Sequence, residues 1–201
     1  MAVMRLGDGG LVAWSPVALS AGLRAAVDRL GPVRFVVAPN TLHDLYVEMW
    51  AAAYPAAHVL AAPGLAEKRW DLRIDGALGD APEPAWGGEI DYVLMRCALT
   101  TEAVLFHHTS GTVLFADLLQ QFSPGWFKGW RAVAARLDGM TGCEPQVPRK
   151  FRLAFAGRKT AARVSLRCIL DWPAERVVMA HGVPVTQGAR AFLVRAFRWL
   201  S

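Results

Sequence analysis

Three polar residues stand where apolar runs end: His43 after RFVVAPN, Asp117 after TVLFA, and His181 after ERVVMA and before Gly182. Strands that end at a common edge would bring such residues together. Two neutral imidazoles and a carboxylate make a donor set for a borderline divalent cation. A cation so held lowers the pKa of bound water to about 7 and supplies hydroxide for hydrolysis. Each residue also has a separate structural reading: His43 as a helix-start histidine, Asp117 as a helix cap, His181 packed in a turn.

Other chemistries lack their motifs. There is no Gly-rich phosphate loop ending in Lys-Ser/Thr, no Gly-x-Gly-x-x-Gly opening a helix, and no Gly-x-Ser-x-Gly elbow. His108-Thr-Ser-Gly111 resembles the last only loosely and falls in a hairpin turn.

The elements that must position these residues read as α/β. MRLGDGGLVAWSPV is a hairpin around a Gly-Asp-Gly-Gly turn. SAGLRAAVDRLG has helical spacing, with Ser20 as N-cap and Gly31 as C-cap. VRFVVA and AHVLAAP are continuous apolar runs of the kind buried on both faces. Between them a helix is predicted from about Leu42 to Ala53. From Gly64 to Glu89 the chain is Pro/Gly-rich and irregular, with one short helix. Strands are predicted at Val93–Leu99, Glu102–Phe106 and Val113–Ala116. A helix through FKGWRAVAARLDG, a Pro/Gly/Cys loop, the helix RKTAARVSLRCILDW, the strand ERVVMAHG and a closing helix through Ser201 complete the chain. With 201 residues and 54% apolar content, residues 1–201 are expected to form a single domain with a substantial core. Helices outside and strands stacked inside imply a layered sandwich.

In order and spacing these features resemble the metallo-β-lactamase fold superfamily, over nearly the whole chain. Within it the likeness is closest to an uncharacterised branch of bacterial and plant proteins known only as a domain of unknown function. VVAPNTLHDLYVEMWAAAYPAAHVLA occupies the place of the family's His-x-His-x-Asp-His turn, TVLFADLL that of the segment ending in its bridging aspartate, and ERVVMAHGVPV that of the strand bearing its last histidine. The resemblance implies a four-layer αββα sandwich and puts metal-ligand roles on His43, Asp117 and His181. It also places Ala38, Asn40 and Leu42 at the remaining positions of the first motif. Cys97 or Ala98 stands where the family has its middle histidine. One metal subsite has thus lost all its histidines and the other its aspartate, which implies at most one ion. Asn40 is a weak amide donor. Cys97 reads either as a soft thiolate ligand or as a buried, inert thiol. Asp44 either faces the site or favours the helix N-terminus by its charge. His107 and His108 precede a hairpin turn, roughly 20 Å from the site edge at strand rise, and read as turn residues.

Two functions follow. One is a metal-dependent hydrolase with a degenerate active site holding one divalent metal ion, zinc first. The other is a metal-free, non-catalytic relative that binds a small molecule or protein partner, with Trp70, Trp86, Trp126 and Trp130 walling an apolar groove. The net charge of +5 permits contact with nucleic acid, but the basic residues are scattered singly, as on solvated helix faces. Three cysteines without a C-x-x-C pair point to a reducing, cytoplasmic setting. The N-terminus does not read as a signal peptide, and no apolar run is long enough to span a membrane.

Overall fold

The computed structural model describes residues 1–200, in two compact units, Met1–Asp91 and the chain from Tyr92 onward. None of the described helices is long and apolar enough to cross a membrane.

In the N-terminal unit, β1 (Ala2–Arg5) and β2 (Leu11–Trp14) form the expected antiparallel hairpin. In α1 (Ala21–Leu30), the Ser20 side chain accepts from the Leu23 N–H, the expected cap. Gly31 follows at φ 150°, where an added Cβ would meet the Gly9 carbonyl oxygen at 2.5 Å; only glycine allows this approach. The chain continues through β3 (Val33–Ala38), α2 (Val47–Ala53), β4 (His58–Ala61), α3 (Leu65–Lys68) and β5 (Gly76–Ala77). The sheet order is β1-β2-β3-β4-β5, with every pair after the hairpin parallel. Trp14 stands beside Val37, and Ala38 beside Ala61, so β2, β3 and β4 end along one carboxyl edge. Val36, Val47, Trp50, Val59 and Leu65 fill the core of this unit.

Helix α2 begins five residues later than the expected Leu42. Leu42 and Leu45 are exposed, and the apolar stripe becomes buried only at Val47, Trp50 and Ala51. The Asn40 side chain also captures the N–H groups of Leu42 and His43, which favours a turn over a helix there.

The C-terminal unit begins within β6 (Ile90–Arg96) and continues through β7 (Thr101–His107), β8 (Thr112–Gln120), α4 (Trp130–Leu137), α5 (Arg149–Ala154), α6 (Lys159–Asp171), β9 (Arg176–His181) and α7 (Ala189–Ala196). The sheet order is β6-β7-β8-β9; β7 and β8 are antiparallel, β8 and β9 parallel. Its core takes in Phe106, Phe115, Phe151, Phe155 and Phe197. Helix α5 lies where a loop was expected. Pro148 precedes its first turn, a favoured place for proline, and Phe151 and the following Phe155 anchor it in the core. The closing helix ends at Ala196 and is followed by a 3-10 turn, Arg198–Leu200; its expected end at Ser201 lies outside the described residues.

Candidate functional site

Asp117 lies within β8 rather than past its end. From Phe115 to Gln120 this strand advances five residues while its partner advances two, from Met179 to His181. The surplus of three residues bulges out of the pairing, which takes N–H groups out of the ladder. A buried carboxylate receives them. Glu102, fully buried on β7, accepts from Ala116 N at 2.8 Å, Asp117 N at 2.8 Å and Leu118 N at 3.2 Å. The bulge presents the Asp117 carboxylate to the end of β9, where Oδ1 stands 3.5 Å from His181 Nε2. Gln120 Nε2 donates to the same oxygen at 2.9 Å, which sets that amide's orientation.

His181 closes β9. Gly182 follows at φ 156°, and a Cβ there would sit 2.6 Å from the Met179 sulfur. This turn returns the chain so that Val185 bridges to Val177. The Phe122 ring stacks on the His181 imidazole, centroids 5.2 Å apart at 24°. Phe122, Trp126, His181 and Val183 line a cavity of about 390 Å³.

His43 is placed by the N-terminal unit. Asn40, fully buried just past β3, accepts from Leu42 N at 2.9 Å and His43 N at 3.0 Å through Oδ1. Its side chain therefore shapes the turn. Ser15, just past β2, brings its hydroxyl to 2.6 Å from His43 Nδ1. Adjacent parallel strands ending on one edge make this contact possible. Ser15 is buried and has φ 50°, the sole positive φ outside glycine among the described residues. That conformation is costly for serine and directs attention to the group it holds.

Of the further candidates, Asp44 is paired by Lys68 Nζ at 3.1 Å and Arg69 Nη1 at 3.3 Å. It also stands ahead of α2 rather than in its first turn. Arg69 in turn hydrogen-bonds Asp71 and holds that carboxyl below its usual range. Cys97 is buried in the C-terminal core, and its thiol donates to the Thr100 carbonyl at 3.2 Å. His107 is 2.8 Å from the Ser110 hydroxyl at the hairpin turn, as expected. Trp86 is buried, edge-on to Phe35. Trp70, Trp126 and Trp130 are exposed, and of these Trp126 borders the cavity beside His181. Glu102, Gln120 and Ser15 were not expected. The only sign of Glu102 is a charge opening the apolar run TEAVLF; Ser15 carries none.

No family model and no curated protein matches the chain. Solved structures do. A metallo-β-lactamase from Pontibacter korlensis superposes with TM-score 0.58 at 12% identity, over 98% of this chain and 85% of the other. A flavodiiron core, Flv1 from Synechocystis sp., superposes with TM-score 0.62 at 12% identity, over 96% of this chain and 50% of the other. The sec-alkylsulfatase Pisa1 from Pseudomonas sp. gives TM-score 0.59 at 15% identity, over 96% of this chain and 37% of the other. At such identities it is the fold that is shared, and the chain has the α/β fold of the metallo-β-lactamases, as its sequence led us to expect.

Proposed function

We propose that this protein is a metal-dependent hydrolase with a reduced site, in which His43, Asp117 and His181 hold one divalent ion. Each offers one ligand atom of a type such ions accept, an imidazole nitrogen or a carboxylate oxygen. The observation that carries the reading is the 3.5 Å between Asp117 Oδ1 and His181 Nε2. Two donors each about 2.1 Å from a tetrahedral zinc ion stand about 3.4 Å apart, so the pair is spaced as coligands. Ser15 engages His43 Nδ1, which leaves Nε2 as the ligating nitrogen. Three protein donors with one open position is the composition of a catalytic zinc site, and the ion's contribution there is to activate a water for hydrolysis.

A second ion finds little support among the residues at the family's other positions. Ala38 has no donor atom, Asn40 Oδ1 already serves two backbone N–H groups, and the Cys97 thiol is bonded inside the core. Zinc is the ion we assign; the flavodiiron likeness makes iron the competitor. The cavity beside His181 falls within the size range of small-molecule sites, and we take it as the substrate's place. All three cysteines are free, in keeping with the cytoplasmic setting we assign.

Elemental analysis of protein purified without a histidine tag tests the proposal. One zinc ion per chain is expected, regained by titration after chelation. Two ions per chain would overturn the reduced site. No metal in the protein and no binding on titration would leave the other reading, a metal-free relative that takes a ligand beside His181. Within the proposed site, Ser15→Ala is expected to weaken zinc binding about tenfold, the effect of losing a group that orients a ligating histidine. Competition with a chelating dye measures it, and unchanged affinity would remove Ser15 from the site.

A further inference from the structure

Another cavity in the C-terminal unit, of about 230 Å³, is used by none of the chemistry above. Arg152 from α5, Arg195 from α7 and Arg198 from the 3-10 turn after it all line it. Arginines repel one another, and three at one small cavity need an explanation.

Their partners do not supply one. Arg152 Nε donates to the Val147 carbonyl at 2.7 Å and Nη2 to Gln146 Oε1 at 2.9 Å, both neutral acceptors. These bonds fix the guanidinium in place without neutralising it, and three of its five N–H donors remain. Arg195 approaches Glu144 at 3.6 Å, with both side chains more than half exposed, so that pair is loose. Arg198 pairs with no carboxylate among the described residues. Burial lowers the Arg152 pKa, and the charges of Arg149 and Arg198 lower it further against the opposing pull of Asp138. The lining thus carries three guanidiniums against the single carboxylate of Glu144. The wall behind them is apolar, with Trp199 packed on Phe155 at 5.5 Å.

We propose that this cavity binds a small tetrahedral dianion, inorganic phosphate or the terminal phosphate of a monoester, held by Arg152, Arg195 and Arg198. Guanidiniums present paired N–H donors that match oxyanions, and three of them arriving from three elements suit an anion with several equivalent oxygens. A monocarboxylate offers two oxygens and one charge, fewer than the cavity is built to meet. The volume is below that of drug-sized ligand sites and fits a head group. This site is independent of the metal proposal, and its test is designed to stay so.

Calorimetric titration of the full chain with sodium phosphate, before and after chelation of metals, provides the test, with sulfate and acetate as controls. Saturable phosphate binding that survives chelation is expected, with sulfate competing and acetate not. Arg195→Gln and Arg198→Gln lie at the surface and leave the core intact. Each is expected to weaken phosphate binding about tenfold, the effect of one charge-assisted hydrogen bond. Arg29→Gln, on the exposed face of α1, should leave it unchanged. The proposal is overturned by absence of saturable binding, by binding that vanishes on chelation, by equal binding of acetate, or by full affinity in both arginine variants.

Discussion

Glu102→Ala is expected to lower the thermal midpoint by about 10 °C and to cost about 3 kcal/mol or more in urea unfolding. The substitution leaves the N–H groups of Ala116, Asp117 and Leu118 without their acceptor in a fully buried place. Each such orphan costs roughly 1–3 kcal/mol. For a chain of this size each kcal/mol moves the midpoint by about 2–4 °C. Relaxation of the bulge recovers part of the loss, so the lower end of the sum is the expected value. Glu102→Gln supplies one carbonyl oxygen but turns an amide donor toward the remaining N–H groups, and should recover less than half of the alanine deficit. Asp117 sits on the bulge, so the same variants are expected to lose binding of the proposed zinc ion even where they remain folded. A midpoint within about 2 °C of wild type in Glu102→Ala would show that the bulge finds other acceptors and does not depend on this carboxylate.

That residue also marks where reading the sequence stops. The alternation of apolar runs and amphipathic stretches in the N-terminal unit was legible because parallel strands buried on both faces are written as unbroken apolar runs, as in VRFVVA. The ends of elements were less so. β8 was expected to stop at Ala116, where the apolar run TVLFA ends, yet the strand continues to Gln120 through a bulge whose compensation lies fifteen residues upstream, on β7. Nothing local at Asp117 announces Glu102. Helix α5 was masked by the Pro, Gly and Cys around it, although Phe151 and Phe155 at helical spacing were its signature. Asn40 was weighed as a weak ligand on account of its place in a family motif. The structure uses it as a turn former, a role any Asn before a helix can take. Ser15 could not have been found, because a positive φ on serine is imposed by tertiary context and leaves no trace in WSP. His43, Asp117 and His181 drew notice because each follows an apolar run, although of the three only His181 closes a strand; Asp117 lies inside β8 and His43 in the turn after β3. The groups that aim and hold them were not, because their contacts are set by register and by bulges.

For the proposed site, Asp117→Asn is expected to abolish stabilisation by added zinc while leaving the metal-free fold nearly intact. With zinc at roughly a hundredfold over its dissociation constant, binding adds about 2.7 kcal/mol to the wild type. In a chain of this length that raises the midpoint by about 5–10 °C. Asparagine keeps an Oδ1 to accept from Gln120 Nε2, so the bulge retains its internal bond; what disappears is the anionic donor facing His181. Loss of a group that merely orients a ligand costs 10–100-fold in affinity, so loss of the ligand itself should cost roughly a hundredfold or more. The zinc increment in the wild type, and its loss in the variant, separate this reading from its rival. Were Asp117 and His181 only an ion pair on a half-buried histidine, the pair would be worth about 0–1 kcal/mol, zinc would shift neither protein, and the variant's whole effect would appear without metal. A metal site differs in one respect: the wild type gains a zinc increment and the variant loses it. His181→Ala should reproduce that loss, and the double variant should add nothing to it, because one ion accounts for both contributions. Additive losses, or a zinc increment that survives in Asp117→Asn, would exclude Asp117 as a ligand.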